Sequence, residues 1–112
     1  MGLTNTSSDL LRGTLELLIL KALVSGPKHG YGIVEHLRLS SADVLSVGES
    51  ALYPALQRLL VNGWAKAEWG ASDNHRRARF YTLTAAGRRH LLAEQAEFAR
   101  LVGAIQSVLG TR

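Results

Sequence analysis

Two spacings of apolar residues, one helical and one strand-like, lay out the elements of this chain. In "DLLRGTLELLILKALVSG" the stripe Leu11, Leu15, Leu18 and Ala22 has helical spacing, with Asp9 placed to cap its start. Leu17, Ile19 and Leu20 spread apolar surface around most of the same helix, which therefore needs cover on two sides. Gly26-Pro27 stops it, and "HGYGIVEHLRLS" predicts a second helix that turns Ile33, Val34 and Leu37 inward. "SADVLSV" reads as a connector with a short strand at Val44 to Val47. "GESALYPALQRLLVNGW" predicts a third helix with Leu52, Leu56 and Leu59 on one face, Ser50, Tyr53 and Gln57 on the other, and a stop at Asn62-Gly63. The spacing then changes: "WAKAEWG" and "RRARFYTL", joined by the turn-like "ASDNH", predict a two-stranded hairpin. Thr84 is placed to cap a long last helix from Ala85 to about Leu109.

The expected fold is mostly α with a small β hairpin: a winged helix-turn-helix followed by a long C-terminal dimerisation helix. Residues 1–8 read as a flexible tail, 9–83 as the winged unit and 84–112 as the dimerisation helix. In such a plan the helix before the hairpin enters the DNA major groove, and the hairpin touches the neighbouring backbone or minor groove. In the last helix Leu91, Phe98 and Ile105 stand seven apart, with Leu101 and Val108 seven apart between them, which is a coiled-coil-like seam. With Leu11, Leu15 and Leu18 of the first helix, these residues form the expected dimer interface.

Composition narrows the picture. The chain of 112 residues fits one domain, and its 13 Lys and Arg against 9 Asp and Glu permit an anionic partner. The absence of cysteine excludes disulfides, thiolate metal sites and cysteine nucleophiles. Neither the four histidines, without cysteine or a paired carboxylate, nor the serines, without a nucleophile turn, make a metal site or a catalytic constellation. No cofactor is implied. The longest apolar run, Leu17 to Leu20, is far too short to span a bilayer, and "MGLTNTSSDL" has no secretory pattern, so a cytoplasmic location away from membranes is expected.

"GTLELLILKAL", "GPKHGYGI", "LYPALQRL", "NGWAKAEW" and "RRARFYTLTAAGRR", in this order, closely resemble the PadR family of transcriptional regulators, in particular its short acidobacterial-type subgroup. The resemblance spans roughly residues 9 to 110 and implies a homodimeric winged-helix repressor that binds double-stranded DNA and has no enzymatic activity. It also accounts for the proline in the third helix: Leu-Tyr-Pro is a family feature, so Pro54 belongs to the fold. A proline forfeits little near a helix start, where backbone donors are unpaired, which places that start late or bent near Gly48 to Ala51. Where many relatives carry Gly-Ser or Gly-Thr before Leu-Tyr-Pro and a histidine after Ala-Leu, this chain has Ser50-Ala51 and Gln57. Either Ser50 takes over a phosphate contact or that contact is lost.

The candidate DNA-binding residues follow. Tyr53 can bond phosphate and Gln57 can pair with adenine. Ser50 and Pro54 share their helix, while Arg58 can reach either a phosphate or a carboxylate of its own chain. Lys28 and His29 stand at the start of the second helix, whose free N–H groups suit a phosphate. Asn74, His75, Arg76 and Arg77 form the hairpin tip, Arg76 and Arg77 being the favoured contacts, with Lys66 and Arg79 behind them. The alternative is a charged tip that only protects a strand edge. Trp64 and Trp69 read as hairpin core or anchors, and the glycines of "HGYG" as permitting tight packing. The second functional reading is a winged-helix protein-interaction module that does not read DNA sequence. Nothing in the residues names a small-molecule effector.

Overall fold

The computed structural model describes residues 14–111. Helix α1 (Leu15–Leu23) leads through a short strand β1 (Lys28–His29) into α2 (Gly30–Ser40), and α3 (Glu49–Val61) precedes β2 (Ala65–Ala71), β3 (Arg77–Leu83) and the long α4 (Ala85–Leu109). Expected boundaries of the last four elements are met within a residue or two. The Asp9 cap and Leu11 lie outside the described residues.

The core forms where α1 is enclosed by α2, α3, α4 and the sheet. Leu15, Ile19, Leu20, Ala22 and Leu23 of α1 are buried against Ile33 and Leu37 of α2, Leu52, Ala55, Leu56 and Leu59 of α3, Ala65 and Tyr81 of the hairpin, and Leu91 of α4. The nearly all-round apolar α1 thus finds most of its cover within its own chain. This corrects two expected interface residues: Leu15, 4% exposed, and Leu91, 3% exposed, are core. Leu18 is half-buried against that core.

Two further corrections concern the connectors. Val44 to Val47 form no strand; of these four only Val47 is buried, as part of the core. The turn after α2 holds Ala42 and Asp43 at φ +52° and +68°. Side chains with Cβ atoms resist this region, and Arg38 secures it: its backbone carbonyl accepts the Asp43 N–H at 2.8 Å while its guanidinium pairs with the carboxylates of Glu35 and Asp43. The strand that does exist is β1, where Lys28 pairs with Tyr81 and His29 with Phe80. The hairpin is therefore part of a three-stranded antiparallel sheet in the order β1-β3-β2.

Helix α3 begins at Glu49, with the Gly48 carbonyl accepting the first N–H groups, inside the expected window. Pro54 lies beyond the first turn with its ring exposed, and the bond it cannot make is the one to the carbonyl of Ser50, on the same open face. Helix α4 starts as expected: the Thr84 hydroxyl oxygen accepts the Gly87 N–H at 2.9 Å. The same hydroxyl donates to the Gly63 carbonyl at 2.7 Å, and the Thr84 N–H donates to the Trp64 carbonyl at 3.1 Å. Gly87 sits against that Trp64 carbonyl so tightly that a Cβ would fall 1.9 Å from its oxygen.

Gly87→Ala should therefore destabilise the fold by about 2–3 kcal/mol or more, because the opposing atom is backbone and cannot swing away. Urea unfolding followed by circular dichroism checks this; a variant as stable as the parent would contradict the packing described here.

Candidate nucleic-acid interface

The buried stripe of α3 leaves Ser50, Tyr53, Pro54 and Gln57 exposed on its opposite face, as the spacing predicts. Ala51, in contrast, is turned partly onto the core, so a hydroxyl there would not join this face and Ser50 is the residue that does. Among the described residues neither Ser50 nor Gln57 has a side-chain hydrogen bond, so the Gln57 amide is open to a ligand. Tyr53 is more constrained. Its ring lies over the start of α2, where a Cβ on Gly30 would stand 2.8 Å from Tyr53 Oη and 3.3 Å from Cζ. Gly30 of "HGYG" thus serves close packing; a Cβ on Gly32 would meet only ordinary contacts, 3.5 Å from the His29 ring.

The hairpin contributes one sheet face. Its register pairs Ala65 with Leu83, Ala67 with Tyr81, Trp69 with Arg79 and Ala71 with Arg77, and side-chain alternation puts these eight on the same side. At the base that side is core, through Ala65 and Tyr81; toward the tip it opens into a cleft of about 580 Å³ shared with Tyr53 and the start of α2. Arg77 stacks over the Trp69 ring at 4.9 Å, and Arg79 lies 6.0 Å from the centre of the Tyr81 ring. Burial pushes the Tyr81 hydroxyl above its ordinary pKa, against a smaller opposite pull from Arg79. Arg76, Arg77 and Arg79 line the cleft, and among the described residues Asp73 is the only carboxylate that does.

Several expected contacts are already engaged within the chain. His29 Nδ1 accepts the Gly32 N–H at 3.0 Å and so caps α2 itself, while the ring packs edge-on against Phe80 at 5.3 Å. The N–H expected to receive a phosphate there is thereby taken. Lys28 Nζ donates to Ser25 Oγ at 2.6 Å. Arg58 takes the carboxylate alternative, its guanidinium 2.7 Å from Glu16 Oε1 on α1. Asn74 builds the turn: its Oδ1 accepts from the Ser72 hydroxyl at 2.6 Å and the Arg76 N–H at 3.3 Å. His75, at φ +63°, and Arg76 remain exposed at the tip.

The tryptophans separate. Trp64 is half-buried and stacks on His90 of α4 at 3.5 Å, an anchor as expected. Trp69 is 62% exposed, which removes the core alternative of its reading. Trp69 and Tyr31 are cleft residues absent from the expected set, and Arg79, expected only behind the tip, lines the cleft as well. Counting pairs outward from the turn would have put Arg77 and Arg79 on one face, but which face looks toward α3 is decided by the packing of the base.

On α4 the residues past Leu91 leave the core. Phe98, Leu101, Ile105 and Val108 are exposed, forming an apolar row along the helix. Among the described residues no group of histidines and carboxylates could hold a metal, and no helix is long and apolar enough to cross a membrane.

Residues 19–93 match the model of the transcriptional regulator PadR-like family. The chain belongs to this family. The PadR-like fold extends over nearly all of it: a transcriptional regulator from Clostridium thermocellum superimposes with a TM-score of 0.80 at 27% identity, covering 88% of this chain and 96% of the other. A PadR family transcriptional regulator from Eggerthella lenta does so with a TM-score of 0.79 at 27% identity, covering 98% and 94%. An uncharacterized protein of Lysinibacillus sphaericus is 26% identical over 94 residues, which is 84% of this chain and 86% of its own. The winged-helix plan with a long C-terminal helix is thus that of a PadR-like regulator.

The engagement of Arg58 can be measured. In a double-mutant cycle of Glu16→Gln and Arg58→Gln, read by urea unfolding, the coupling should be about 0.2–1 kcal/mol, the range of a partly exposed pair. Zero coupling would return Arg58 to the set of free cations.

Proposed function

We propose that this PadR-like protein is a cytoplasmic homodimeric repressor that reads an inverted-repeat operator, with α3 in the major groove and the wing, β2 to β3, on the adjoining backbone. The observation that supports the reading is that Tyr53, which shares the exposed face of α3 with Gln57, lines one cleft with the wing arginines Arg76, Arg77 and Arg79, where Asp73 is the only carboxylate among the described residues. An amide can bond an adenine edge through both of its groups, and guanidinium groups suit phosphates. In this reading the unit up to residue 83 holds DNA, and α4 joins two copies through Phe98, Leu101, Ile105 and Val108. Two-fold symmetry then sets half-sites about one helical turn apart. Lys28 and His29 support the α2 start, and Ser50, Tyr53, Gln57, Arg76 and Arg77 meet DNA.

The dimer is tested by charge. Ile105→Glu or Phe98→Glu should weaken self-association and DNA binding together, since a carboxylate buried without a partner costs several kcal/mol. A wild-type chain that sediments as a monomer at micromolar concentration contradicts the dimer.

Reading and holding are distinguishable. Gln57→Ala should lower affinity for the preferred operator by about 1–3 kcal/mol per half-site and scarcely alter binding to scrambled duplex. Arg77→Ala should weaken both duplexes alike and reduce the salt slope by about one unit per lost phosphate contact. Equal losses on both duplexes for Gln57→Ala would sink sequence reading by this face, and a wild-type affinity indifferent to salt would favour a protein-interaction module.

A further inference from the structure

The indole of Trp69 is exposed on the wing. It stands at mid-height on the cleft side of the wing, opposite Arg79 across the strands, with Arg77 stacked on its ring. A large apolar side chain left 62% exposed in a cationic cleft is suited to a ligand that is apolar in one part and anionic beside it. A protein partner would meet the same surface with acidic and aromatic side chains, but the cleft floor is the DNA-facing side of α3, through Tyr53, and the two surfaces are continuous. A deoxyribose-phosphate strand has the required chemistry, its sugar rings apolar and its phosphates anionic at regular intervals.

We propose that Trp69 is a DNA-contacting residue of the wing, its indole lying against a sugar of the strand that passes between α3 and the wing. Arg77 and Arg79 meet the phosphates of that strand. The stacking of Arg77 has a further effect: a guanidinium already held against an aromatic face loses less freedom when it binds a phosphate. Trp69 is thus both a contact and a positioning group for Arg77. Because sugars are the same in every sequence, the contact adds affinity without selecting bases.

The contact rests on the DNA-binding reading, and its test separates the two. The chain has two tryptophans, and Trp64 is stacked on His90 outside the cleft, so Trp64→Phe leaves Trp69 as the sole indole reporter. Binding of a fluorescein-labelled mixed-sequence duplex is followed by anisotropy, and acrylamide quenching of the indole is measured with and without saturating unlabelled duplex. DNA should shield the indole from acrylamide, and Trp69→Ala should weaken mixed-sequence binding by about tenfold, more than Trp69→Phe. An indole as open to acrylamide in the saturated complex as in the free protein overturns the proposal, and so does wild-type affinity in Trp69→Ala. If the wild-type protein leaves the anisotropy of every duplex unchanged, the DNA-binding reading itself fails, and the contact with it.

Discussion

The backbone carbonyl of Trp64 is the point on which the arrangement of the cleft depends. It accepts the Thr84 N–H at 3.1 Å, and the bare Cα of Gly87 is pressed against it. The first pair of the hairpin ladder, Ala65 with Leu83, lies next to this knot. Register in a two-stranded ladder is an all-or-none choice, since a slip of one residue turns every side chain of a strand to the other face. With the register held at the base, Tyr81 goes to the core and Arg77 and Arg79 go to the cleft. A slipped β3 would send Phe80 inward and carry both arginines away from α3.

The same knot sets where α4 departs. Thr84 caps the helix and is bonded to the turn after α3 through the Gly63 carbonyl, so one side chain joins the end of α3 to the start of α4. The stack of Trp64 on His90 continues the attachment for a further turn. Beyond Leu91 the helix leaves the core, and Phe98, Leu101, Ile105 and Val108 are exposed along it. The direction in which α4 leaves the winged unit is then a consequence of a few contacts near residue 64.

Gly30 has a comparable role on the opposite wall. A side chain there would displace Tyr53, whose ring forms the cleft floor beneath Trp69. His29, next to it, serves structure three times over: as a strand residue, as the cap of α2 and as a packing partner of Phe80. At the start of α2, where the sequence offered free N–H groups to a phosphate, His29 itself takes the Gly32 N–H.

What the sequence by itself determined is the helices, the hairpin and the inner face of each. Periodicity, the Gly26-Pro27 and Asn62-Gly63 stops and the Thr84 cap are local features, and a helix or strand stripe is set by neighbours within a few residues. The order of helices and hairpin therefore read correctly, as did the exposed face of Tyr53 and Gln57 and the apolar row of α4. Contacts between distant segments decided the rest. The two-residue strand β1 exists because β3 offers it an edge; Leu15 and Leu91 are core because α1 and α4 meet; Arg58 is paired because Glu16 lies across from it. Trp69 is exposed and Tyr81 buried although both are aromatic residues on the same hairpin face, because that face passes from core to cleft along its length. Spacing tells which residues share a face; only the packing of that face against other elements tells how much of it is left open to a ligand.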